Sequence, residues 1–265
     1  MTIDCSAVAT VEVNGVRLGY RESGDPAAAP VVLLHGSGSS ARTWDRFSSR
    51  LTASGYRAIA VDLRGHATSA RAGDYSLRSI RDDVLELLES LTLRDAVLIG
   101  HSVGAYAALA AALHAPDRIA RLVLEDLAAP PQRAELLKGI SPIQVLAAAA
   151  EIITARRDYD VRALGSIFRQ LSRPDTDWWG RLGDVRQPTL VLSGGPTSCI
   201  PPRRLAEVAA AISLARLTTI PVGHRVHSLA PDRFSAEVLA FLAWPGLGAA
   251  HRDAECRPVG RESPC

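Results

Sequence analysis

The sequence contains little of what marks several specialised protein classes. Aromatic residues make up 5% of the 265 residues, and the 30 basic and 28 acidic residues leave a formal net charge of +2. The four cysteines show neither a CxxC pair nor the spacing of zinc ligands. They are Cys5, Cys199, Cys256 and Cys265. The cysteine content and spacing exclude a disulfide scaffold, and we expect no metal. The small net charge excludes a strong electrostatic field around the whole protein, so we expect no nucleic-acid partner and no anionic membrane partner.

Long apolar runs are also missing. No window approaches the roughly 18 consecutive apolar residues of a membrane span. Residues 1–6 have neither the basic nor the apolar region of a secretory signal. We therefore expect a cytoplasmic protein with reduced thiols. The hydrophobic content of 47% is ordinary for a globular chain, and a single α/β domain commonly reaches this length.

Short apolar runs alternate with helical patterns along the chain. Residues 77–91 carry apolar side chains at a period near 3.6, which predicts a helix. The apolar runs have the composition of strands buried on both faces. They lie at residues 31–34, 58–61, 96–99, 122–124, 189–192 and 217–220. This alternation predicts an α/β fold with a mostly parallel, doubly wound sheet and crossover helices.

The domain organisation is predicted from two changes in pattern. Residues 131–181 show helical patterns only, and we interpret them as a small helical cap. The cap is inserted into a core formed by residues 1–130 and 182–245. Residues 246–265 are rich in Gly, Arg and Pro without periodicity, which predicts a flexible C-terminal tail.

The sequence GHSVG at residues 100–104 follows the pattern G-x-S-x-G. It lies directly after an apolar run and directly before an alanine-rich helical pattern. A sharp strand-to-helix turn projects a serine hydroxyl above the sheet edge, and the helix N-terminus offers N–H donors to an oxyanion. Because two glycines around a serine recur in many loops, it is this context that predicts Ser102 as a nucleophile.

Four segments resemble motifs of the α/β-hydrolase superfamily. They are HGSG at 35–38, DLRGHATS at 62–69, GHSVG at 100–104 and the segment that begins with PVGH at 221–224. The resemblance extends over nearly the whole chain and implies the α/β-hydrolase type of sheet and a small-molecule substrate. The second motif departs from the family pattern at Ala67, where glycine is usual, and we expect only a local change of loop conformation there.

A serine nucleophile needs a base within hydrogen-bond reach. The resemblance places that base at His224, in the Gly-His turn, and the chain order Ser, Asp or Glu, His also requires a late histidine. His227 is the alternative, but we expect its ring to be packed or solvated in the following segment. We therefore assign His224 as the general base. His101, beside the nucleophile, is expected to point into the structure and to be hydrogen-bonded.

The carboxylate that orients the base is missing from the loop where many α/β hydrolases carry it. Residues 193–202 contain no acid. The preceding strand ends in Glu125 and Asp126, and here the chain resembles a subset of the superfamily that includes esterases, amide hydrolases and cofactor-free dioxygenases. We assign Asp126 as the acid and expect Glu125 to face the other side of the strand. A Ser–His dyad without an acid is the third alternative.

The resemblance also implies an oxyanion hole formed by the backbone N–H groups of Ser37 and Val103. His35 is expected to support this loop or to border the substrate pocket. Trp44, Trp178 and Trp179 are candidate pocket walls, although packing is the commoner role of tryptophan. Five cap arginines form either a solvated face or a clamp for an anionic substrate. They are Arg156, Arg157, Arg162, Arg169 and Arg173.

These residues predict a serine hydrolase that cleaves a carboxylic ester or related acyl bond through an acyl-serine intermediate, without a cofactor. The same framework would serve a cofactor-free dioxygenase or a C–C bond hydrolase. A non-catalytic small-molecule receptor is disfavoured, because a receptor gains nothing from a complete Ser–Asp–His set. For an ordinary histidine base, activity is expected to rise at roughly pH 6–7.5.

Overall fold

The computed structural model describes residues 7–133 and 158–244. Within these residues, eight strands form one sheet in the order β1-β2-β4-β3-β5-β6-β7-β8. The strands are β1 Val8–Val13, β2 Val16–Ser23, β3 Pro30–Leu34, β4 Arg57–Val61, β5 Ala96–His101, β6 Ile119–Glu125, β7 Thr189–Ser193 and β8 Ala215–Thr219. β2 pairs antiparallel with β1 and with β4, and the remaining pairs are parallel. The predicted mostly parallel α/β sheet is confirmed.

Helices cover both faces of the sheet. They are α1 Asp45–Ala53, α2 Leu77–Ser90, α3 Val103–His114, α4 Val161–Leu171, α5 Thr176–Gly180, α6 Pro202–Ala211, α7 Val226–Leu229 and α8 Pro231–Ala243. Along β3, Val32 and Leu34 pack into one core cluster with α2, α3 and α6, whereas Val31 and Leu33 pack into a second with α1 and α8. This alternation, with a period of two residues, explains why the strands are apolar throughout.

The region predicted as a cap is described only in part. Its helices α4 and α5 lie within residues 158–181, and residues 134–157 lie outside the described residues. Gln170 of α4 accepts a hydrogen bond from the N–H of Leu77 (3.0 Å), and Tyr75 donates one to Asp160 (2.8 Å), so α4 is fixed against the start of α2. The predicted tail at residues 246–265 also lies outside the described residues.

Across residues 7–133 and 158–244, no helix combines the length and the apolar character that crossing a membrane requires.

Candidate active site

Ser102 occupies the turn between β5 and α3 in a strained conformation. Its φ is 54° and its ψ is −115°, values that a non-glycine residue adopts only when the surrounding structure fixes them. The N–H of Ser102 donates to the carbonyl of Glu125 (2.9 Å), and its carbonyl accepts from Ala128 (3.3 Å). The residues that end β6 therefore hold the turn that presents the serine.

The glycine after Ser102 allows β3 and α3 to approach closely. A methyl group at Gly104 would lie 2.3 Å from the carbonyl oxygen of Leu34, the last residue of β3. No side chain fits at that distance, so α3 could not begin where it does with any other residue. This contact gives the second glycine of G-x-S-x-G its physical reason.

Asp126 and His224 form a hydrogen-bonded pair next to this turn. Oδ2 of Asp126 accepts from Nδ1 of His224 at 2.6 Å, and the aspartate is fully buried whereas 30% of the histidine side chain is exposed. Asp126 has a φ of 44°, which turns the chain at the end of β6. The carboxylate contact expected from the sequence is thus present, and it fixes Nε2 of His224 as the nitrogen available to a substrate or to Ser102.

The loop that lacks an acid supplies hydrogen bonds to the acid of the neighbouring strand. The N–H of Gly194 donates to Oδ1 of Asp126 (2.8 Å), and the hydroxyl of Ser198 donates to Oδ2. The carboxylate therefore accepts three hydrogen bonds, which hold it in one orientation. Neither donor is evident from the sequence, because nothing in their local pattern indicates a partner about 70 residues away.

The pKa of His224 is displaced from that of an ordinary histidine. Burial acts to lower it, but the hydrogen bond to Asp126 and the neighbouring Cys199 outweigh burial and raise the pKa from 6.5 to about 10. Cys199 is exposed at the rim of the site. It is a further residue that sequence analysis did not connect with the site.

His101 holds the turn that carries His224. It is buried, and its Nε2 donates to the carbonyl of His224 (2.8 Å), so Nε2 must carry the proton. Burial lowers the pKa of His101 to about 3, so the ring is neutral at physiological pH. The expected role of a packed, hydrogen-bonded histidine agrees with this position.

Glu125 and His227 form a second carboxylate–histidine pair, on the other side of β6. Both side chains are buried, and Nδ1 of His227 lies 2.7 Å from Oε2 of Glu125, which also accepts the His227 N–H at Oε1 (2.9 Å). Burial acts to raise the pKa of Glu125, but His227 and His101 outweigh it and lower the pKa. Glu125 is the last residue of β6 and Asp126 turns the chain after it, and the two carboxylates bind different histidines.

The HGSG loop passes beside Ser102. A methyl group at Gly36 would lie 3.3 Å from Cβ of Ser102. Val103 is the first residue of α3, where backbone N–H groups have no partner within the helix. Ser37 and Val103 therefore lie on the two segments that flank the serine, as the expected oxyanion hole requires.

His35 supports this loop from within the core. It is fully buried; its Nε2 accepts from the N–H of Leu63 (3.0 Å) and its Nδ1 donates to the carbonyl of Gly36 (2.7 Å). Burial lowers its pKa to about 3, which keeps the ring neutral. Of the two roles considered for His35, the contacts fit the support of the loop, and the role of a pocket wall is wrong. His66, which sequence analysis did not single out, accepts from the N–H of Gly38 (3.2 Å).

Two of the three tryptophans considered as pocket walls are packed in the interior. Trp44 is fully buried in the second core cluster, with its ring 4.3 Å from that of His227, so its assignment to a pocket wall is wrong. Trp178 is 6% exposed and stacks on Tyr106 with ring centroids 6.0 Å apart. Both contacts are packing contacts, and the half-buried Trp179 lines a cleft instead.

The arginines of the predicted cap divide into two groups. Arg162, Arg169 and Arg173 are exposed, as the solvated-face alternative expects. Arg156 and Arg157 lie outside the described residues.

Comparison with known proteins agrees with the motifs. A model of the alpha/beta hydrolase family matches residues 31–237. The chain is 31% identical to the dihydrolipoyllysine-residue acetyltransferase component of the acetoin cleaving system from Pseudomonas putida, over 87% of this chain and 68% of the relative. It is 27% identical to a 2-hydroxy-6-oxononadienedioate/2-hydroxy-6-oxononatrienedioate hydrolase from Paraburkholderia xenovorans, over 86% of this chain and 91% of the relative.

A solved structure supports the same grouping. A hydrolase from Pseudomonas aeruginosa PA01 superposes with a TM-score of 0.76 at 28% identity, covering 91% of this chain and 100% of the other.

Proposed function

Because the chain belongs to the alpha/beta hydrolase family, we propose that it hydrolyses a carboxylic ester or related acyl bond of a small molecule through an acyl-serine intermediate. The observation that carries this proposal is the 2.6 Å contact between Asp126 and His224, beside the strained turn of Ser102. A positioned base and a half-buried serine on such a turn are the parts that acyl transfer to a hydroxyl requires.

In the proposed acylation, Oγ of Ser102 attacks the carbonyl carbon and its proton passes to Nε2 of His224. The negative charge that develops on the carbonyl oxygen is stabilised by the N–H groups of Ser37 and Val103, each worth about 2.7–4 kcal/mol at the transition state. Asp126 stabilises the imidazolium and holds its tautomer. When the intermediate collapses, the alcohol leaves with the proton from Nε2.

In the proposed deacylation, water takes the place of the alcohol. His224 accepts a proton from the water as it attacks the acyl carbon, and then returns this proton to Oγ of Ser102 as the acid departs. These steps use side chains and backbone groups of the described chain.

Labelling with a fluorophosphonate tests this proposal, because the reagent reacts with an activated serine. We expect one label per chain in the natural protein and in the control Ser49→Ala, since Ser49 is exposed on α1. Label on Ser102→Ala protein at the same rate would overturn the proposal. Labelling also separates a hydrolase from a receptor, which has no need of an activated hydroxyl.

The pH dependence is a second test. The base acts only when neutral, and the pKa of His224 is raised to about 10, so we expect kcat/KM to keep rising above about pH 7.5. This limb lies at higher pH than the one predicted for an ordinary histidine. Cys199→Ala removes one of the groups that raise the pKa, and it is expected to move the limb to lower pH. A plateau reached below pH 7 in the natural protein would contradict this assignment.

A second candidate is the hydrolysis of a C–C bond, which the similarity to the Paraburkholderia xenovorans hydrolase favours. The same base and oxyanion donors would serve that reaction. The two candidates are separated by assaying a p-nitrophenyl ester beside a 2-hydroxy-6-oxo dienoate: the leading proposal expects ester turnover that Ser102→Ala removes.

A further inference from the structure

Two buried histidines hold the HGSG loop, one on each side of Ser37. Nδ1 of His35 donates to the carbonyl of Gly36 (2.7 Å), and Nε2 of His66 accepts from the N–H of Gly38 (3.2 Å). The two rings pack edge to face, with their centroids 5.0 Å apart. We propose that His66 is a positioning residue, which together with His35 fixes the direction of the Ser37 N–H; as a role in catalysis it rests on the proposed acyl hydrolysis.

The two hydrogen bonds act on the peptide groups that flank Ser37. A trans peptide group is planar, so holding the carbonyl of Gly36 also fixes the N–H of Ser37, which points the opposite way in the same group. The next peptide group joins Ser37 to Gly38, and its N–H is the one that His66 accepts. The residue that offers the expected oxyanion donor therefore lies between two peptide groups, each held by a buried histidine.

The protonation state of His66 suits this role. Its Nδ1 lies 3.0 Å from the carbonyl oxygen of Arg64, which can only accept, so Nδ1 carries the proton and Nε2 is the acceptor for Gly38. Burial lowers the pKa of His66, although the Arg64 carbonyl and Asp62 act to raise it. The ring is therefore neutral at pH 7, and the acceptor is present where the proposed base works.

This acceptor also selects the conformation of the loop. The N–H of Ser39 donates to the carbonyl of Gly36 (3.2 Å), which closes a four-residue turn, and Gly38 has a φ of 73°. A positive φ at the third residue is the mark of a type II turn, whereas a type I turn has its middle peptide group reversed. The reversed form would direct the carbonyl of Ser37 at the unprotonated nitrogen of His66. The two acceptors would repel each other, so His66 favours the observed form.

The described part of the cap holds His66 in turn. The N–H of Asp160 donates to the carbonyl of Gly65 (2.7 Å), and His66 itself forms a β-bridge with Tyr159, with ring centroids 6.0 Å apart. A methyl group at Gly38 would lie 3.8 Å from the ring of Tyr159, so the cap also packs on the loop directly. The position of the cap is thus transmitted to the HGSG loop through His66.

Replacing His66 with phenylalanine tests the proposal, because the ring that packs against His35 and Tyr159 is kept while the acceptor is removed. Loss of a whole oxyanion donor costs about 10²–10³ in kcat. His66→Phe only loosens that donor, so we expect kcat for p-nitrophenyl butyrate to fall by about 10-fold to 100-fold, with a smaller change in KM.

His66→Gln is the conservative variant. Its amide oxygen is able to accept in place of Nε2, so we expect it to recover most of the activity lost in His66→Phe. A matched control is His114→Phe, which replaces an exposed histidine at the end of α3 and is expected to leave kcat and KM unchanged. Equal losses in His66→Phe and His66→Gln would overturn the proposal, because the acceptor would then be irrelevant.

A transition-state analogue separates positioning from a general loss of structure. Propylboronic acid adds to an activated serine as a tetrahedral adduct, which carries an oxygen where the oxyanion of a butyrate ester would be. We expect its Ki to rise in His66→Phe by the factor by which kcat/KM falls. A fall in kcat/KM without a rise in this Ki would contradict a role at the oxyanion hole.

Hydrogen exchange separates this inference from the proposed function, because it needs no turnover. We expect the Gly38 amide to exchange at least about tenfold more slowly in the natural protein and in His66→Gln than in His66→Phe. If no ester is turned over but exchange differs in this way, the proposed function fails and the contact of His66 with the loop stands.

Equal exchange of the Gly38 amide in the natural protein and in His66→Phe would refute the inference even where ester hydrolysis is found. Thermal melting shows whether His66→Phe is folded. Should it not fold, the natural protein decides by itself: exchange of the Gly38 amide at the rate of an unfolded chain refutes the inference, and slow exchange that His66→Gln preserves supports it.

Discussion

Replacing Ser102 with alanine is expected to lower kcat for p-nitrophenyl butyrate by about 10⁶, and replacing His224 with alanine by a similar factor. The reason is that the nucleophile and its base act as a unit, so that the loss of either removes the covalent route. The double variant should therefore be no slower than either single variant. Steady-state kinetics with purified proteins measures all three.

Folding of these variants is checked by circular dichroism and thermal melting, since the loss of activity must not come from unfolding. Substantial ester turnover by a verified Ser102→Ala protein would contradict covalent catalysis. A double variant much slower than either single variant would show that the two residues act independently, which the proposed mechanism does not allow.

Replacing Asp126 with asparagine is expected to lower kcat by about 10⁴, the penalty known for this change in a serine-protease triad. The amide accepts fewer hydrogen bonds than the carboxylate, and its NH₂ group favours the wrong tautomer of His224. The contacts of Oδ1 and Oδ2 with Gly194, Ser198 and His224 make this position sensitive to the change. The measurement is kcat for a p-nitrophenyl ester, compared with the natural protein.

Glu125→Gln is the matched control, because it makes the same chemical change one residue earlier. Glu125 accepts hydrogen bonds from the buried His227, and leaving such a buried group without its partner costs about 1–3 kcal/mol of stability. We expect a lowered melting temperature together with a loss of kcat far smaller than that of Asp126→Asn. If Glu125→Gln removed activity and Asp126→Asn did not, the assignment of the acid would be wrong by one residue.

The parts of the site that the sequence predicted are those with a strong local pattern. The alternation of apolar runs and helical periods predicted the sheet, and the turn at residues 100–104 marked Ser102 because strand, turn and helix follow one another directly. Asp126 was found by a negative observation, since the loop at residues 193–202 has no acid. Its contact with His224 depends on the parallel pairing of neighbouring strands, which the predicted topology already contained.

What the sequence did not predict depends on contacts between distant segments. Ser198, Cys199 and His66 have ordinary local surroundings, and only the folded chain brings them to Asp126, His224 and the HGSG loop. Trp44 was instead assigned to the site although it lies in the core. A tryptophan near a catalytic loop suits either a pocket or a core, and burial decides between them only after the helices α1 and α8 are in place.

The contact between Asp126 and His224 has a thermodynamic consequence that runs against its role in catalysis. Since the pKa of His224 is raised from 6.5 to about 10, the folded chain holds this proton more tightly than the unfolded chain. The resulting contribution to the free energy of unfolding is fully present below pH 6.5 and is lost as the pH rises through about 10. The proton that stabilises the fold is the one that must leave before the base can act. Raising the pH therefore activates the base and lowers the stability of the fold at the same time.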